Sequence, residues 1–258
     1  MVVVDIKKQV QEQFGKNAAG YVTSEIHAKG QDLQKLLSIA NAAKHDVVLD
    51  IATGGGHVAN GFAPLAGRVV ALDLTKNMLQ KAEQFIRANG HMNVEFVQGD
   101  AERLPFADKT FTITACRIAP HHFPNVPAFI KESYRILQEN GTFLLIDNVA
   151  PEKDEWDMFY NTVEKKRDPS HHRALKKSEW LSLLEEARFQ IEQLITFSKM
   201  FKFQSWWERM GLPEQEKTEL EQYMLQAAPE TKAHFHIVIE DGRVMSFQGQ
   251  SVLIVCKK

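Results

Sequence analysis

Apolar residues along this chain recur in two rhythms, and their alternation predicts the fold. Short, near-continuous apolar runs occupy 47–51, 69–72, 94–97, 111–116 and 142–146. Such runs suit strands covered on both faces, as in a parallel sheet. Between them, apolar positions return every three or four residues, the mark of a helix with one buried face. Met78, Leu79, Ala82, Phe85 and Ile86 make one such face; Thr75 stands at its start as a candidate cap, and Gly90 ends it. A further helix is expected over 126–137, stopped near Asn140-Gly141. The order is strand, helix, strand, helix, strand, loop, strand, helix, strand. Right-handed crossovers join such elements into a doubly wound α/β sheet with helices on both faces.

The flanks read differently. Ile6, Val10 and Phe14 share a helical face within 5–20, and Gly15 and Gly20 loosen the chain around Tyr21. A helix is expected over 32–43. Beyond Pro151, helices are expected over 154–167, 178–187 with Ser178 as cap, and 214–227; 190–203 looks extended. Ser205-Trp206-Trp207-Glu208 has the form of a capping box. Segments 235–239 and 243–247 flank Asp241-Gly242, a pair that favours a primed hairpin turn, and 252–256 is a final strand. The chain thus divides into an N-terminal helical cover (1–45), a core (46–204), an insertion capping the ligand end of the sheet (205–250) and a last core strand (251–258). Two fates are open to the strand near 235–247: pairing with a second chain as a homodimer, or addition to the main sheet.

Composition narrows the class. With 258 residues, 44% of them apolar, the chain can bury one domain with an elaboration. A net charge of −2 leaves no basic excess for a nucleic-acid partner. No apolar run is long enough for a membrane span, and the N-terminus lacks the apolar core of a signal peptide. Cys116 and Cys256 form no CxxC pair, which fits a reducing, cytoplasmic setting.

The chemistry concentrates in residues 47–73. Asp50 closes the first apolar run, Gly54-Gly55-Gly56 follows, and Asp73 closes the second run. Glycines at a strand-to-helix turn let a ligand approach the backbone, and N–H groups at a helix start favour polar or negative groups. Gly54-x-Gly56-x-x-Ala59 also fits the dinucleotide pattern, with Asp73 near the ribose position. An NAD-dependent oxidoreductase is therefore one reading. Asp50 opposes it, because a carboxylate there would repel a pyrophosphate. The same carboxylate suits S-adenosylmethionine, which carries an ammonium and a sulfonium and no phosphate.

At these residues the sequence resembles the class I S-adenosylmethionine-dependent methyltransferases, closest to their UbiE-like small-molecule group. The likeness covers about residues 14–150. VLDIATGGG (48–56) is similar to the D-x-G-x-G-x-G loop, with Ala52 in place of the first glycine. ALDLTKNML (71–79), VQGDAERLPF (97–106), FTITACRIAPHHFPN (111–125) and RILQENGTFLLID (135–147) resemble the later motifs in order, and FGKNAAGY (14–21) resembles the segment covering the cofactor. The resemblance implies a Rossmann-like, seven-stranded sheet, mostly parallel with an antiparallel last strand, plus a C-terminal helix and hairpin insertion. It implies that Asp73 takes the ribose hydroxyls, that Asp100-Ala101 contacts adenine, and that Leu74 and Met78 sandwich the ring. Asp50 would face the methionine ammonium. Ala52, Gly54, Gly56 and Cys116 would line the methionine side by their backbones. Tyr21 and Arg117 complete the expected cofactor set. The motif after strand four departs from the quinone-methylating group, so a small-molecule acceptor is as far as the likeness reaches.

His121 and His122 follow strand four and are the candidate general bases, needed where the nucleophile must lose a proton. A catalytically inactive, cofactor-binding protein is a third reading. His171-His172 and His234-x-His236 lack the spacing that would complete a four-ligand metal set, so no metal is expected. Trp206-Trp207 reads as packing within the cap, and 164–167 as a solvated helix end.

Overall fold

A computed structural model describes residues 7–11, 30–211 and 213–258 of the chain. The expected helix over 5–20 is helical at 7–11, and the rest of it, with Tyr21, lies outside the described residues. Strands β1 (Val47–Ile51), β2 (Arg68–Asp73), β3 (Val94–Gln98), β4 (Phe111–Arg117) and β5 (Leu137–Val149) form the parallel part of the sheet. β6 (Gln190–Lys202) and β8 (Arg243–Lys257) complete it in the order β3-β2-β1-β4-β5-β8-β6. β8 runs antiparallel to both neighbours, and the short β7 (Val238–Glu240) pairs with β8 off this path.

Both faces of the central strands are buried, which is why their sequences lack alternation. Leu49, Ile51, Phe143, Leu145, Val252 and Ile254 enter one core, with α4 (Val126–Ile136) and α6 (Lys177–Glu186). Val48, Leu144, Ile146, Leu253 and Val255 enter the other. That second core is covered by α1 (Gln31–Ala40), α2 (His57–Phe62) and α3 (Lys76–Ala88). A third core joins α5 (Asp154–Arg167) to α7 (Phe203–Glu208), α8 (Glu214–Leu225) and the start of β8 through Tyr160, Trp206, Trp207, Leu220 and Phe247. α9 (Pro229–His234) precedes the β7–β8 hairpin.

Several local expectations are corrected. No strand boundary falls at residue 250: the hairpin strand and the final strand are one strand, β8, whose ladder with β6 is continuous from Ser246 to Lys257 apart from one bulge. The hairpin therefore adds to the main sheet. Its turn is of the expected kind, with Asp241 and Gly242 at φ 47° and 74°. Ser205 lies inside α7 and donates to Lys202 O, so it is no cap. Ser178 donates to Glu152, and α6 is instead capped by Glu179 accepting from Lys176 N. His234 ends α9 and His236 sits in a turn at φ 45°, so the two do not share a strand face.

Candidate functional site

The turn from β1 to α2 is held by carboxylates from two strands. Asp50, 1% exposed, accepts through Oδ2 from Thr53 Oγ1 at 2.6 Å and Ala59 N at 3.0 Å. Asp73 accepts from Gly54 N at 2.9 Å and Thr75 N at 2.8 Å. Thus, where the sequence led one to expect N–H groups at the helix start open to a ligand, Gly54 N and Ala59 N already serve the strand-end acids. Thr75 caps α3 by position, while its hydroxyl makes no cap bond. Burial pushes the Asp50 carboxyl up to about 7 against the lowering effect of its two donors, and burial raises Asp73 as well.

The turn needs the left-handed region three times: Ala52 at φ 55°, Gly54 at 54° and Gly56 at 84°. The latter two are glycines and adopt it freely. Ala52 does so under strain, which gives a backbone reason for glycine at that position in the related motif. Gly56 works by packing rather than by ligand approach. A Cβ there would stand 3.0 Å from Ala82 Cβ and Ile86 Cδ1, so its absence lets α2 meet α3.

Beyond the turn, at the carboxyl ends of the strands, lies an open cavity. This is where open α/β sheets bind ligands. Asp50, Ala52, Gly54, Asp73, Leu74, Met78, Asp100, Ala101 and Arg117 all line it. Gly56 does not, and Cys116 is sealed in the core between β1 and β5. A Cβ on Gly54 would point at Met78 Cε, 3.7 Å away, so its absence widens the cavity between turn and helix.

Among the described residues, two cations, Lys7 and Arg117, line the cavity, and both are paired with carboxylates. Lys7 lies 2.6 Å from Asp100 Oδ2 and 2.5 Å from Glu102 Oε2. Arg117 pairs with Asp32 through Nε at 2.9 Å and Nη2 at 3.0 Å, both side chains nearly buried. Neither Lys7 nor Asp32 was marked by sequence. The pairs span 93 and 85 residues, and only tertiary structure brings them together. What remains is acceptor-rich: the carboxylates of Asp50 and Asp73, and the lone pairs that Asp100 keeps beyond its bonds to Lys7 and Glu102 N, beside apolar Leu74 and Met78. That set fits hydroxyls, an amino group and an ammonium, and it opposes a pyrophosphate. S-adenosylmethionine fits; a dinucleotide does not.

After β4, a 3₁₀ turn at Pro120–His122 carries both candidate histidines, each buried. His122 lines the cavity, and its Nδ1 lies 3.1 Å from Ser170 O. His121 stands beside it, with ring centroids 4.2 Å apart, and its Nδ1 lies 2.6 Å from Asp147 Oδ1. His171 joins the cluster 5.5 Å from the His121 ring, its Nε2 held by Asn161. Burial and the neighbouring His121 push His122 down to about 4, and burial with both neighbours pushes His171 to about 2. Burial works the same way on His121, but the Asp147 charge and hydrogen bond outweigh it and raise that ring. Among the described residues, no group of three or more His, Cys, Asp or Glu side chains is arranged to hold a metal. Nor is any described helix long and apolar enough to cross a membrane.

Known proteins resemble this architecture closely. Residues 49–145 match the family described as a methyltransferase domain. The uncharacterised methyltransferase YcgJ of Bacillus subtilis strain 168 is 35% identical over 242 residues, covering 93% of this chain and 96% of its own. Its crystal structure superposes with a TM-score of 0.86. A putative methyltransferase from Bacillus halodurans C-125 is 53% identical, with a TM-score of 0.87 over 89% of this chain and 99% of its own. A demethylmenaquinone methyltransferase of Porphyromonas gingivalis is 28% identical over 162 residues, 60% of this chain and 66% of its own. These likenesses leave no place for the oxidoreductase reading. A doubly wound sheet, an acid-rimmed cavity at its carboxyl edge and full-length relatives agree: the chain belongs to the class I S-adenosylmethionine-dependent methyltransferases, and its cofactor is S-adenosylmethionine.

Proposed function

We propose that the protein methylates a small-molecule acceptor by in-line displacement. The observation that carries this is a single cavity rimmed by Asp50, Asp73 and Asp100 at one set of strand ends and by Ala119, His122, Phe123 and Pro124 after β4. When bound, S-adenosylmethionine supplies an electrophilic methyl group on its sulfonium. Asp73 keeps lone pairs beyond its two backbone bonds, enough to accept from both ribose hydroxyls. Asp100 accepts from the adenine amino group, with Leu74 and Met78 against the ring. Asp50 offers negative charge to the ammonium while holding the turn. The β4 segment with His122 borders the acceptor. Holding the acceptor near the methyl and in line with it supplies much of the rate, because transfer from a sulfonium dissipates charge.

The test is conversion of S-adenosylmethionine to S-adenosylhomocysteine by the purified chain, with and without a low-molecular-weight metabolite extract. Product that appears only with the extract supports the reading. Product that requires the macromolecular fraction instead would overturn the small-molecule acceptor.

A further inference from the structure

β6 ends the sheet on one side, and among the described residues no strand pairs with its outer edge. From Gln193 to Lys202 its ladder to β8 keeps an unbroken register, so the edge is regular over its last ten residues. The backbone N–H and C=O groups that point away from β8 are a template for another strand. Folds usually blunt such an edge with a proline, a bulge or an outward lysine. The bulge here comes before Gln193, and residues 190–202 contain no proline. Lys199 is drawn inward, its Nζ donating to Asn148 Oδ1 on β5 at 2.9 Å, across the width of β8.

The side chains along this edge have an order of their own. Ile195 and Phe197 lean on the second core, half-buried. Leu194 and Met200 are 37% and 58% exposed, and Glu192, Thr196, Ser198 and Lys202 are exposed beside them. An acid therefore stands at the start of the edge and a base at its end. Inside them lie two apolar residues, and between those, two hydroxyls. Reversed about Phe197, the edge is its own complement: acid meets base, apolar meets apolar, hydroxyl meets hydroxyl. A register shifted by two residues loses this, because Leu194 then meets Ser198 or Lys202 instead of Met200.

We propose that β6 pairs antiparallel with β6 of a second copy of this chain, with the twofold axis at Phe197, so that the two sheets join edge to edge. Glu192 then lies opposite Lys202 of the second copy, Leu194 opposite its Met200, and Thr196 opposite its Ser198. Each pair occurs twice, as a twofold interface requires. Directly opposed residues of antiparallel strands stand about 4.5–5.5 Å apart at Cα and share one face. That is close enough for apolar contact and for an ion pair. The two Phe197 side chains meet at the axis, on the face where one chain's second core continues into the other's. No residue of β6 lines the cofactor cavity, so the pairing does not occupy it.

Sedimentation of the full chain across a concentration series tests this, each variant first shown to be folded by its thermal transition. Wild type should sediment as a dimer. Glu192→Lys, Lys202→Glu and Met200→Lys should each weaken the dimer at least about tenfold, since every lost pair is lost twice. Glu192→Lys combined with Lys202→Glu should restore it, a rescue that a merely damaged fold would not show. Disulfide trapping reads the register. Thr196→Cys combined with Ser198→Cys should link two copies under mild oxidation, with Cys116 and Cys256 buried and out of reach. Leu194→Cys combined with Ser198→Cys, which matches the shifted register, should not. A monomer at every concentration overturns the proposal. So does a dimer that the three single substitutions leave unchanged, or one that only the shifted cysteine pair links.

Discussion

Ala52 shows how one residue can carry the cost of a turn. Its φ of 55° is the left-handed conformation that the neighbouring glycines adopt without strain. Ala52→Gly should stabilise the protein by about 1 kcal/mol in chemical denaturation; a loss of stability would show that the Ala52 methyl contributes packing that outweighs the strain. His171 makes a sharper prediction, in pH. Its folded pKa is depressed to about 2 by burial and neighbouring rings. Neutral His171 thus belongs to the fold, and stability is lost as pH falls below the unfolded value of about 6.5. His171→Gln should remove that loss. Wild type should fall relative to the variant by up to about 1.4 kcal/mol per pH unit below 6.5, read as the gap between denaturation midpoints. Asp50 has the opposite sign. Its carboxyl, raised to about 7, stabilises the fold when protonated and loses that contribution as pH rises from about 4 through 7. Asp50→Asn should flatten this slope while Thr53 and Ala59 keep an oxygen to donate to; an unchanged slope would mean that Asp50 is charged throughout.

At the scale of elements, the strands were legible because burial on both faces leaves an uninterrupted apolar run, and α5 was legible from its amphipathic spacing. The caps were not. Ser178 and Ser205 have the right chemistry in the right neighbourhood, but Glu179 does the capping at α6, and Ser205 bonds back inside α7. A one- or two-residue shift in a helix start decides this, and no sequence pattern fixes it. The role of Gly56 was hidden too, since its reason is the Ala82–Ile86 surface of α3 rather than the ligand. Gly56→Ala meets both a forbidden φ and two 3.0 Å contacts. It should cost more than about 1 kcal/mol in chemical denaturation; a variant as stable as wild type would contradict the packing role.

For the whole molecule, the sheet order places the ends of β1, β2, β4 and β5 along one edge, and the site follows from it. The acids closing β1 and β2 were readable because each terminates an apolar run. Asp147 obeys the same rule on β5, yet its partner His121 is 26 residues away, and their meeting depends on the β4–β5 register. Lys7 on Asp100 and Arg117 on Asp32 were invisible for the same reason. The insertion's helices close a core of their own against α5, and β8 ties that core to the sheet as one continuous strand. The central claim is that carboxylates at the strand ends hold S-adenosylmethionine. Calorimetric titration of wild type and Asp73→Ala with that cofactor, each variant first shown to be folded by its thermal transition, tests it most directly. Wild type should bind one equivalent, and Asp73→Ala should bind at least about tenfold more weakly, the loss of roughly 1.4 kcal/mol or more that goes with a charge-assisted hydrogen bond. Equal affinity in the two proteins, or no heat with wild type, would contradict the account.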